Sequence, residues 1–90
     1  MLTIRYSAKF KKDYKSTKKR GYDTRLLVEV LDMLSAEQPL PPKYRDHALQ
    51  GDYTGHRECH ITSDWLLIYK IEGSELILEL TRTGTHSDLF

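Results

Sequence analysis

The chain has 90 residues, one cysteine and a formal net charge of +1. That length gives a single domain over residues 1–90 with one core, able to fold without staples, and a lone Cys excludes an internal disulfide and points to a reducing compartment. No apolar run approaches the roughly 20 residues of a membrane span and the N-terminus has no signal pattern, so a soluble, cytoplasmic protein is expected.

The small net charge hides an asymmetry. Residues 1–25 carry nine Lys/Arg against two Asp, or +7, and residues 26–90 carry five against eleven acids, or −6. A basic face able to meet a polyanion or an acidic partner follows, against the plainer reading of a solvated Lys-rich helix.

In chain order, Leu2-Thr3-Ile4-Arg5-Tyr6 alternates apolar and polar and predicts a short strand. Ser7 can cap a helix running to Arg20, with Phe10 and Tyr14 as a narrow buried stripe and Gly21 as the stop. Asp23 caps a second helix, in which Leu27, Val30, Leu31 and Leu34 recur at i, i+3, i+4 and i+7. Between Ser35 and Gly55 three prolines and two glycines break the periodicity. A connection of that length without structure is rare in a small domain and tends to be functional. Leu49 is expected to anchor it in the core and leave His47 displayed.

Three strands are then predicted, Arg57–Ile61, Trp65–Ile71 and Leu76–Arg82, joined by short polar turns that specify antiparallel hairpins. Trp65-Leu66-Leu67-Ile68-Tyr69 is apolar on both faces and should be the central strand. The expected fold is α+β: a strand and two-helix hairpin packed on a twisted antiparallel sheet, β-α-α-β-β-β, with a short C-terminal helical turn.

Parity sorts the polar groups. Glu58, His60 and Thr62 share one face and Cys59 and Ile61 the other, which suits the covered side. Leu76, Leu78 and Leu80 share a face that Arg82 continues unless the strand end twists it outward. The segment from Thr83 to Phe90 is too short to fold alone and must lie back on the sheet.

His56, Cys59, His60 and Asp64 invite a zinc reading by residue type. Extended geometry opposes it, because His56 and His60 are about 13 Å apart along a strand and Cys59 faces away from His60. A Cys on the covered face is also a poor nucleophile. General acid–base chemistry fits better, since histidine changes charge near neutral pH and a pair can divide proton removal from proton donation. RNA cleavage needs a base for the ribose 2′-hydroxyl, an acid for the leaving 5′-oxygen and a cation for the phosphorane. His47, His60 and His86, with Arg82 as cation and Asp64 or Glu58 to tune a histidine, supply that set.

Four ordered motifs carry a resemblance over essentially the whole chain. Asp46-His47-Ala48-Leu49-Gln50-Gly51, Arg57-Glu58-Cys59-His60, Asp64-Trp65-Leu66-Leu67-Ile68-Tyr69 and the tail from Arg82 to Phe90 resemble the YafQ branch of the RelE/ParE toxin superfamily. The resemblance implies a type II toxin, an mRNA endoribonuclease that enters the ribosomal A site and leaves a 2′,3′-cyclic phosphate and a 5′-hydroxyl. It implies no metal and no cofactor. The implied partners are a cognate antitoxin, the ribosome with its 16S rRNA, and mRNA, with operator DNA reached only through the antitoxin complex and no membrane contact.

By position, His47, His60, Asp64, His86 and Phe90 match the family's active-site residues, and Glu58 stands where YafQ itself has Asp. His86 is then the general acid and His47 the general base. His60 and Asp64 orient the phosphate and ribose, Glu58 and Arg82 contact substrate, and Phe90 stacks on a base. The alternative for Phe90 is an aromatic closing the core. Lys11, Lys12, Lys15, Lys18 and Lys19 are expected to contact rRNA. Two rivals remain: a ParE-like toxin that poisons gyrase, which lacks this histidine set, and a module acting only through its antitoxin on its own operon.

Overall fold

The computed structural model describes residues 1–90 as strand β1 (Thr3–Tyr6), helices α1 (Ala8–Lys19) and α2 (Thr24–Ser35), strands β2 (His47–Ala48), β3 (Arg57–Thr62), β4 (Trp65–Glu72) and β5 (Ile77–Gly84), and helix α3 (His86–Leu89). Both long helices start where a side chain can satisfy a free N–H. Ser7 Oγ accepts from Phe10 N at 3.0 Å, and Asp23 Oδ1 accepts from Arg25 N at 3.1 Å.

The strand order is β1-β5-β4-β3-β2, which makes β4 central as its two-faced apolar run requires. One face of the sheet carries Trp65, Leu67 and Tyr69 against Leu27, Val30, Leu31 and Leu34 of α2 and Phe10 of α1. Each such side chain removed from water contributes about 1.5–3 kcal/mol. The other face presents Leu66 and Ile68, covered by Leu89 of the tail with Leu49 and Tyr53 alongside. A helix-side core and a thinly covered face are therefore the two sides of one strand.

Four expectations change. The sheet is mixed rather than antiparallel throughout, because β1 pairs parallel with β5, Thr3 opposite Ile77 and Tyr6 opposite Leu80. The segment 35–55 is not structureless: 3-10 turns form at Pro42–Tyr44 and Gly51–Tyr53, and β2 pairs with β3 between them. Leu76 does not join the row of Leu78 and Leu80, since it turns through φ 54 before β5 and is exposed. Thr62 leaves the row of Glu58 and His60, because the register shifts after His60 and sets Thr62 opposite Trp65.

A second irregularity fixes Arg82. Tyr69 lies opposite Leu80 while Ile68 lies opposite Arg82, so Thr81 is an extra residue on β5. That bulge flips the alternation. Leu80 stays in the helix-side core and Arg82 joins Ile68 on the thinly covered face. No helix is long and apolar enough to cross a membrane.

Candidate active site

Two rows run across the thinly covered face. In one, His47, Glu58, Ile68 and Arg82 are successive register partners on β2, β3, β4 and β5. In the next, His60, Leu66 and Gly84 are partners on β3, β4 and β5. Adjacent strands are about 4.8 Å apart, so His60 and Gly84 are separated by roughly 10 Å across an apolar floor. The three-strand row gathers residues 24 apart in sequence, and His86 begins two residues beyond Gly84.

His47, Glu58 and His60 form the polar cluster at one edge. His47 Nδ1 lies 2.7 Å from the carbonyl oxygen of Arg45. A carbonyl can only accept, so Nδ1 is the donor there, and in the neutral ring Nε2 is the nitrogen left to accept a proton. Nε2 faces Glu58 Oε1 at 3.5 Å, and His60 Nε2 faces the same oxygen at 3.8 Å. The two imidazole centroids are 6.3 Å apart. Glu58 is buried and its Oε2 has no hydrogen-bond partner. It shares the face of His60, as parity requires, but sits beneath the histidines rather than open to substrate. That burial argues against its expected direct contact with substrate, because the His47 and His60 rings lie against the carboxylate.

The opposite edge is the tail. Thr85 and Asp88 form a reciprocal capping box at the start of α3, with Thr85 N donating to Asp88 Oδ2 at 2.9 Å and Asp88 N to Thr85 Oγ1 at 3.2 Å. Arg20 at the end of α1 grips Asp88 through two hydrogen bonds of 2.7 and 3.2 Å. The Arg20 guanidinium and the cap hold the Asp88 carboxyl well below the usual carboxylate range. Gly84, at φ +155, lies so close to Asp88 that a Cβ would stand 3.0 Å from it. Buried Leu89 completes the anchor.

This anchored turn displays His86 and Phe90, their rings 5.0 Å apart. Phe90 is 58% exposed and so does not close the core. It meets Tyr53 edge-on at 5.9 Å, and Tyr53 meets His56 edge-on at 5.9 Å, making a continuous aromatic ledge. Sequence reasoning missed Tyr53 and gave His56 no role; their link to Phe90 spans more than thirty residues and leaves no local pattern.

The remaining expected residues scatter more. Asp64 is exposed in the Ser63-Asp64 turn and makes no side-chain hydrogen bond or ion pair, one turn from His60. Arg82 is on the same face as His47 and Glu58 but engaged: Nε donates to Asp13 Oδ2 at 2.8 Å and Nη2 to Asp13 Oδ1 at 2.9 Å. Asp13 holds the Arg82 proton more firmly than usual. Lys11, Lys12, Lys15, Lys18 and Lys19 are exposed and form no ion pair. At about 100° per residue they fall within roughly a third of the α1 circumference, opposite buried Phe10 and Thr17.

Cys59 is fully buried on the helix side and desolvation pushes its thiol up to about 12, so it supplies no nucleophile. No group of three or more His, Cys, Asp or Glu side chains is arranged to hold a metal ion.

Asp46 was also overlooked. It lies on the helix side of β2, where the Tyr69 hydroxyl and the Arg57 guanidinium both donate to it, Arg57 Nη2 at 3.1 Å. It fastens the strand from below while its neighbour His47 stands above. Alternation beside a candidate histidine was the signal that could have found it.

The chain matches the family model described as bacterial toxin of type II toxin–antitoxin system, YafQ, over residues 2–90. It is 42% identical over 88 residues to the mRNA interferase toxin YafQ of Escherichia coli K12, covering 97% of this chain and 94% of that protein. Its fold superposes on a metal-bound toxin from Helicobacter pylori with a TM-score of 0.94 at 51% identity, each chain covered in full. It superposes on YafQ in the E. coli DinJ–YafQ complex with a TM-score of 0.90 at 41% identity, covering 100% of this chain and 99% of that one. The chain belongs to the YafQ family of type II toxin–antitoxin toxins.

Proposed function

We propose that this YafQ-family toxin, an endoribonuclease of the mRNA interferase kind, cuts translated message in the ribosomal A site by histidine acid–base catalysis. The observation that carries the reading is the pair of rows across the sheet, with His47 Nε2 at one edge and the exposed His86 imidazole just beyond the other. His47 Nε2 takes the proton of the ribose 2′-hydroxyl, whose oxygen attacks the adjacent phosphorus. The proton gained by His47 is held opposite the Glu58 carboxylate. His86 delivers its proton to the departing 5′-oxygen, leaving a 2′,3′-cyclic phosphate and a 5′-hydroxyl.

His60 and Asp64 orient the phosphate and ribose, and Phe90, exposed and braced by Tyr53, stacks on a nucleobase. Arg82, held by Asp13, adds positive potential beside the phosphorane and takes a substrate phosphate as a secondary contact. Lys11, Lys12, Lys15, Lys18 and Lys19 contact 16S rRNA, an association that weakens steeply with salt. The toxin works in the cytoplasm, where a cognate antitoxin neutralises it and brings it to operator DNA.

Expression of wild type and His86→Ala from a tight promoter tests the reading. Growth arrest with message cleavage is expected from the wild type and neither from the mutant; equal arrest from both would refute catalysis. Charge reversal of the five α1 lysines is expected to abolish ribosome co-sedimentation, and unchanged association would refute the rRNA contact.

A further inference from the structure

Of the six arginines, five are held by a carboxylate: Arg5, Arg20, Arg25, Arg57 and Arg82. Arg45 alone has no acid partner, although it is exposed and two residues from His47. Its backbone adopts φ 50 and ψ 40, a left-handed conformation that side-chain-bearing residues disfavour and that clusters at functional sites. This turn aims the Arg45 carbonyl at His47 Nδ1 and leaves its guanidinium uncommitted.

Lys43 is exposed and equally without a carboxylate, its Nζ 5.0 Å over the Tyr44 ring. Both cations line a groove of about 420 Å³ whose wall includes His60. The one carboxylate on that wall is Glu29, so the two cations outnumber it. It runs along a sheet edge left open because β2 pairs with β3 only at Arg57 and Glu58. Paired cations in a concave groove that shares His60 with the histidine cluster suit a flexible polyanion better than bulk water.

We propose that Lys43 and Arg45 form a second phosphate subsite, which holds the phosphodiester of single-stranded RNA adjoining the scissile one on the His60 side. The proposal rests on the endoribonuclease reading and adds to it where the strand runs. Neither cation touches the reacting atoms; together they fix the register of the RNA across His47 and His86.

The test is binding of the full chain to a short 2′-O-methyl oligoribonucleotide, which lacks the nucleophile and cannot be cut, measured by fluorescence anisotropy over a salt series. Single methylphosphonate linkages remove one phosphate charge at a time. A methylphosphonate beside the blocked linkage is expected to weaken wild-type binding about 5–10-fold and leave the affinity of Lys43→Gln/Arg45→Gln unchanged. The slope of log Kd against log salt is expected to fall by about 1.4 in the double variant, near 0.7 per lost contact. Arg45→Lys should keep most of the slope.

Equal slopes, equal methylphosphonate penalties in both proteins, or no wild-type binding at low salt would overturn the subsite. Because the RNA is uncleavable, that failure is separate from failure of the catalytic reading. Message cleavage by His86→Ala would refute the acid–base roles and leave the binding result standing.

Discussion

His47 and Glu58 are register partners across β2 and β3, and the buried carboxylate lies 3.5 Å from His47 Nε2, the ring nitrogen that the Arg45 carbonyl does not engage. The carboxylate also faces His60, and its second oxygen has no partner. A charge left so sparsely satisfied is costly to bury, so its worth lies in the imidazolium it can face. Glu58→Gln keeps the shape and removes the charge. Cleavage should fall about 10- to 100-fold, on the order of 1.4–2.7 kcal/mol of barrier. The unfolding midpoint should hold or rise. A lower midpoint with full activity would mean that Glu58 is structural.

Asp46 holds the same strand from the helix side through Tyr69 and Arg57. Burial and the Asp46 contact push the Tyr69 hydroxyl above its ordinary range, so it stays a donor. Asp46→Ala leaves that hydroxyl unpaired and should cost about 1–3 kcal/mol in denaturant unfolding. Loss of cleavage should exceed what the unfolded fraction explains, because His47 loses its footing. Unchanged kcat in the folded fraction would detach the two residues.

The tail predicts a pH signature. Asp88 titrates lower in the folded protein than in the unfolded chain, so its anchoring contribution is complete above about pH 4 and is lost as pH falls through the folded value. Amide exchange at Leu89 should therefore be constant from neutral pH down to about 4 after correction for intrinsic rates, and accelerate below. Arg20→Gln should loosen the same amide at neutral pH. Gly84→Ala should do so too, since its Cβ would press on Asp88. Protection unaltered in both variants would sink the anchor.

Cys59 offers a chemical check on the core. With the thiol raised to about 12 and no exposed surface, alkylation at pH 8 should track global unfolding and speed up only with denaturant. Prompt native-state labelling would place Cys59 elsewhere.

What the sequence disclosed follows the range of each signal. The helices were legible because i, i+4 spacing and the Ser7 and Asp23 caps act within one turn. The centrality of β4 followed from apolar residues at both parities, and the shared face of Glu58 and His60 from a period of two. β1 beside β5 was not legible, since a parallel edge partner more than seventy residues away leaves no mark in either strand's pattern. Arg82 needed the Thr81 bulge, an extra residue that alternation cannot reveal. β2, at two residues, is too short to show a period, and so the loop concealed both the perch of His47 and the Asp46 anchor.

The central claim is that His86 donates the proton to the leaving 5′-oxygen while His47 serves the opposite edge. A translated message with sulfur replacing that single bridging 5′-oxygen has a leaving group that needs no acid. Single-turnover cleavage of this message on programmed ribosomes should restore His86→Ala to within about tenfold of wild type and leave His47→Ala inactive. His86→Ala remaining inactive on the sulfur linkage, or His47→Ala being the variant rescued, would contradict the assignment.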